Sequence, residues 1–98
     1  MIDTGLSENA LRLIQNVISG TKVTKALLFG SRAKGNFRAN SDIDIALCGD
    51  ITVMEAEEIA AQLELLPLPF TFDAQSFNEI KNAELREHIA RVGVTLYG

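Results

Sequence analysis

The sequence predicts a small α+β domain, a mixed β-sheet with helices packed on it. Two observations carry that expectation. Segments of helical and strand periodicity alternate along the chain in the order α-β-β-α-β-α. The 98 residues, 47% hydrophobic and 22% charged, suit one buried core and not two. No internal repeat, low-complexity tract or linker divides the chain, so residues 1–98 are expected to form a single domain.

Ser7 reads as the N-cap of a first helix over Ser7–Ser19, with Glu8 favoured by the helix dipole. Leu6 and Leu11 can form a hydrophobic staple across the cap. Leu11, Ile14, Val17 and Ile18 follow helical spacing, and Gly20 is the stop. Val23–Phe29 is short, apolar and closed by Gly30, which predicts a buried strand. Ser31–Asn40 is polar and contains glycine, a loop that can open with one helical turn. Ser41–Cys48 alternates, with Asp42 and Asp44 on one face and Ile43, Ile45 and Leu47 on the other, as a strand does. The connection between these strands is too short for a crossover helix, so they are expected to be antiparallel.

Thr52 and Glu55 have the spacing of a capping box. The helix they open carries Val53, Ala56, Ile59, Ala60 and Leu63 as its apolar stripe and ends before Pro67. Leu68–Ala74 reads as a third strand. Ser76 and Glu79 repeat the capping-box spacing and predict a last helix with Ile80, Leu85, Ile89 and Val92 facing inward, closed by Gly93. Val94–Tyr97 is expected to add an edge strand.

Composition narrows the function. Net charge is −4, from 9 Lys and Arg against 13 Asp and Glu, which argues against a broad surface for nucleic-acid phosphates. One cysteine makes neither an internal disulfide nor a zinc site, pointing to a reducing, cytoplasmic compartment. No apolar run of about 18 residues predicts a membrane span, and Met1–Thr4 lacks the basic and apolar segments of a signal peptide.

Three features carry chemistry. Gly30 ends the first strand, where a glycine lets backbone approach a ligand. The N–H groups and hydroxyl beginning at Ser31 then face an anion such as a terminal phosphate. Asp42 and Asp44 share a strand face, where two carboxylates repel unless a cation lies between them. A pair of Mg²⁺ ions roughly 4 Å apart uses both. Asp73, beside Phe70 and Phe72, brings a third carboxylate if its strand lies next to the second. The alternative readings are an ordinary turn, a solvated outer face and a strand-end cap. Together, Gly-Ser-x₁₀-Asp-x-Asp arises by chance on the order of once per thousand chains of this length. Arg32, Lys34 and Arg38 surround the glycine turn, as phosphate contacts or as solvated charges. Ser41 either touches ligand or caps the loop. His88 is read as a surface residue, Cys48 as a small buried one and Tyr97 as packed on the sheet edge or in an interface.

The run Gly30–Leu47, GSRAKGNFRANSDIDIAL, resembles the signature of the DNA polymerase beta-type nucleotidyltransferases. The short length is similar to their smallest branch, the minimal nucleotidyltransferase (MNT) domain. The resemblance implies a polymerase beta-like palm fold. It matches Gly30 and Ser31 to a phosphate-binding turn, Asp42 and Asp44 to the metal-holding carboxylates, and Asp73 to the third metal-binding acid and general base; beside that turn, Arg32 and Ser41 are expected to contact the nucleotide. It further implies ATP or another NTP as substrate, two Mg²⁺ ions, and a HEPN-domain toxin as protein partner. The MNT protein would be an antitoxin that transfers AMP to that toxin. Two other functions fit the same residues: a non-catalytic nucleotide-binding antitoxin that masks its partner, and the catalytic subunit of a small-molecule nucleotidyltransferase.

Overall fold

A computed structural model describes residues 4–35, 37, 38 and 41–98. The expected loop positions Asn36, Ala39 and Asn40, and the N-terminal Met1–Asp3, lie outside the described residues. Helix α1 spans Glu8–Ser19, with the Ser7 side chain accepting from the Ala10 N–H. Strand β1 is Lys25–Phe29, the one-turn helix α2 Ser31–Lys34, and strand β2 Ile43–Cys48. Helix α3, Val53–Glu64, begins at the Thr52–Glu55 capping box, in which both reciprocal hydrogen bonds form. Strand β3 is Phe72–Ser76, helix α4 Ala83–Val92 and strand β4 Val94–Tyr97.

Among the described residues the four strands make one mixed sheet in the order β3-β2-β1-β4. β1 is antiparallel to β2, as the short connection requires, and antiparallel to β4; β2 is parallel to β3. This is the α+β architecture read from the sequence. β1 is central and covered on both faces, which is why four consecutive residues from Ala26 to Phe29 are buried. On one face Leu28, Ile43, Ile45 and Leu47 pack with Ile14 and Ile18 of α1 and Ile59 and Leu63 of α3. On the other, Leu27, Phe29 and Ala46 pack with Ile80 and with Ile89 of α4. That second face carries Asp44, because strand side chains alternate. Tyr97 is partly buried against the first of these clusters. No helix among the described residues is long and apolar enough to cross a membrane.

Several local expectations are corrected. The third strand starts at Phe72 instead of Leu68, because Pro67 and Pro69 have no N–H for a ladder. The first described ladder bond from its neighbour runs from the Ile43 N–H to the Thr71 carbonyl. The second capping box does not form. Ser76 belongs to β3, where its hydroxyl donates to the Ile51 carbonyl, and Phe77–Glu79 is a 3₁₀ turn. The last helix begins later, capped by Asn82, whose side chain accepts from the Glu84 and Leu85 N–H groups. Ile80 is buried, but ahead of that helix. Val53 and Val92, expected in the core, are 54% and 37% exposed. Val53 opens α3 and Val92 closes α4, so each lies at a helix end. His88 is half-buried instead of a surface residue. Cys48 is also half-buried, and burial pushes its thiol up.

Candidate functional site

The edge of the sheet where β1 ends brings the three expected features together. β1 and β2 pair so that Phe29 lies opposite Asp44. The next residue, Gly30, turns sharply with φ of 78° and caps α2. Its α-carbon faces the Asp44 carboxylate so closely that a Cβ there would collide with Oδ2. Glycine is therefore required twice, once for the positive φ and once for the approach. Gly30→Ala is expected to displace the Asp44 carboxylate and remove at least about a hundredfold of activity, the scale on which 1 Å misplacements act. A nuclear magnetic resonance (NMR) titration of the Asp44 carboxyl would reveal the displacement independently. An unchanged Asp44 pKa and unchanged activity would contradict this account.

β2 and β3 pair in parallel, placing Asp73 beside Asp44 in register. Asp42 stands two residues before Asp44, at the mouth of the strand. The Thr71 hydroxyl donates to Asp42 Oδ1, and the Gln75 side-chain amide donates to Asp73 Oδ2 at 3.4 Å. Asp42 and Asp73 are exposed, while Asp44 is half-buried. Burial raises the Asp44 pKa above its ordinary value, and the negative charges of Asp73 and Asp42 raise it further. Among the described residues no Lys or Arg forms an ion pair with any of these acids.

The three carboxylates thus share a region of one sheet face but are not drawn into a closed cage. Among the described residues no group of three acidic, His or Cys side chains is gathered tightly enough to hold a metal ion. Thr71 and Gln75 each hold one of the three acids by a hydrogen bond. The donor set nevertheless suits Mg²⁺: oxygen ligands only, electrostatic strain that a cation relieves, and a glycine-lined approach beside them.

Ser31 opens α2 directly after Gly30, where the first N–H groups of a helix have no acceptor within it. Arg32, expected at the phosphate, points elsewhere. It is 1% exposed. Its Nε and Nη2 donate to the Ser41 carbonyl at 3.3 and 3.1 Å, and its Nη1 donates to the Thr4 carbonyl at 2.9 Å. Its guanidinium carbon lies 4.9 Å from the Phe37 ring centre and 4.8 Å from that of Phe70. Ser41 is a loop brace as well, its hydroxyl accepting from the Arg38 N–H at 2.7 Å. These two residues hold the segment leading into Asp42. Thr71 is the neighbour that sequence reasoning missed. A threonine before a strand carries no signal until the register places it beside Asp42.

The sequence model of the polymerase beta nucleotidyltransferases matches residues 12–98. No curated protein sequence matches. A crystal structure of a toxin–antitoxin with AMP-PNP superposes with a TM-score of 0.73 at 26% identity, covering 95% of this chain and 74% of that one. A mutant of the MntA–HpeT toxin–antitoxin shares the fold, with a TM-score of 0.73 at 22% identity over 90% of this chain and 72% of its own. Matched by that family model over nearly its whole length, the chain belongs to the polymerase beta-type nucleotidyltransferase family.

Proposed function

We propose that this nucleotidyltransferase domain transfers AMP from ATP to a hydroxyl of a partner protein, as the antitoxin of a HEPN–MNT pair. The observation that carries this reading is the packing of Gly30 against Asp44, with Asp73 in register beside it. A phosphate turn, a metal-holding acid and a candidate base then occupy one corner of the sheet. The toxin–antitoxin with AMP-PNP supports both the nucleotide and the partner, because AMP-PNP is an ATP analogue.

In this reading Gly30 and the N–H groups from Ser31 onward seat the triphosphate. Asp42 and Asp44 would hold Mg²⁺, which when bound neutralises charge developing on the phosphate oxygens. Asp73 accepts the proton of the acceptor hydroxyl at a carboxylate oxygen. The hydroxyl oxygen bonds to the α-phosphorus, and the bond from that phosphorus to the α–β bridging oxygen breaks to release pyrophosphate. Arg32 acts as a positioning residue through the Ser41 carbonyl, one residue before Asp42.

The test is label transfer from ATP to the protein with which this chain co-purifies. The wild type is expected to label that protein in the presence of Mg²⁺. Asp42→Asn combined with Asp44→Asn is expected to lose labelling by at least about a thousandfold. Undiminished labelling would overturn the proposal. Protection from the toxin by the unlabelling variant would instead establish masking without chemistry.

A further inference from the structure

Among the described residues β3 ends the sheet, and no strand lies beside its outer edge. Along that edge runs a groove of about 270 Å³. It is lined by residues 73–76 of β3, by Val53 and Glu57 of α3, and by Glu79 and Ile80 beyond the strand. Four consecutive lining residues mean that the groove follows the strand backbone. In a strand that pairs on one side only, alternate N–H and C=O groups point outward. At Phe72 that outward N–H is taken by the Glu64 carboxylate at 2.7 Å, a side chain standing where a neighbouring strand would be. Beyond Phe72 the groove begins.

The groove has a definite chemistry. Asp73, Glu57 and Glu79 line it, and among the described residues no Lys or Arg does. Beside it the first turn of α3 presents an apolar shoulder, with Val53 54% and Met54 69% exposed. One end is Asp73, which also belongs to the acid corner. A phosphate-rich ligand is repelled by such a lining, whereas a cationic polypeptide is attracted.

We propose that an extended, basic segment of the partner protein docks along the open edge of β3. Four strand residues span about 13 Å, room for three or four residues of the incoming segment. Main-chain hydrogen bonds supply the docking, Glu57 and Glu79 select Lys or Arg, and the Val53–Met54 shoulder takes an apolar side chain. The segment's hydroxyl residue then arrives at Asp73, a consequence that rests on the nucleotidyl-transfer reading above.

The test is an NMR titration of the whole chain with a short peptide that alternates lysine and valine around a central tyrosine. The backbone amides of residues 73–76 are expected to shift. A Glu57→Gln, Glu79→Gln double variant is expected to bind roughly tenfold more weakly, and a peptide with glutamate in place of lysine should not bind. Shifts confined to another surface, equal binding by the double variant, or no binding at millimolar peptide would overturn the docking edge. Mg²⁺ and ATP are then added to the bound peptide. Docking at 73–76 without AMP transfer keeps the edge and counts against the transfer reading. Transfer to the co-purified partner that is insensitive to the double variant keeps the reaction and removes the edge.

Discussion

Asp44→Asn is expected to cost at least about a thousandfold in nucleotidyl transfer and, at neutral pH, to leave the metal-free protein with a higher melting temperature. Loss of one ligand of a charge-neutralising ion removes several kcal/mol of transition-state stabilisation, and each 1.36 kcal/mol is tenfold in rate. The stability effect has the opposite sign. Burial, then Asp73, then Asp42 hold the Asp44 carboxyl above the pKa it has in the unfolded chain. Ionisation is therefore costlier in the folded protein. The fold is free of that cost below the ordinary carboxylate range and loses stability as pH rises through the folded-state pKa. Asparagine keeps the shape and removes the charge. In chelator, the gap in melting temperature between variant and wild type should widen from pH 4 to pH 7. Added Mg²⁺ should stabilise the wild type and leave Asp44→Asn nearly unmoved. A wild type more stable than Asp44→Asn at pH 7 in chelator would show that the acid corner is not electrostatically strained.

Arg32→Ala is expected to destabilise the fold by about 3 kcal/mol, lowering the melting temperature by more than roughly 10 °C in a domain of this size. The guanidinium is buried between the Phe37 and Phe70 rings, and its removal leaves the Thr4 and Ser41 carbonyls without their donors. Arg32→Lys should recover only part of the loss, because an ammonium cannot fork to two carbonyls while stacking between rings. Calorimetry of the two variants decides the role. A phosphate contact would instead leave the melting temperature in place and weaken ATP binding alone.

Local pattern was enough for the elements whose residues interact mainly with near neighbours in sequence. α1 follows its Ser7 cap and its spacing of Ile14 and Ile18, and α3 follows the Thr52–Glu55 box. The alternation around Asp42 and Asp44 put the acids opposite Ile43, Ile45 and Leu47, and the sheet keeps them there. Gly30 and Ser31 were legible because a glycine at a strand end followed by a helical turn is a backbone requirement.

Pattern failed where two local rules competed. Ser76 and Glu79 had the spacing of a helix start, yet the hydroxyl of Ser76 was claimed by Ile51, 25 residues earlier in the chain. Leu68 and Phe70 had strand-like hydrophobicity, and Phe70 spends it on the Arg32 guanidinium and the core instead of on a ladder.

The sequence by itself determined the α+β class, the antiparallel start of the sheet and the identity of the acids, because these depend on periodicity, loop length and residue type. Only the tertiary structure decided that Asp73 stands beside Asp44, that Arg32 turns inward and that, among the described residues, β3 keeps an open edge. Each of these depends on strand register or on which distant group claims a hydrogen bond, and neither is written in the spacing of nearby residues.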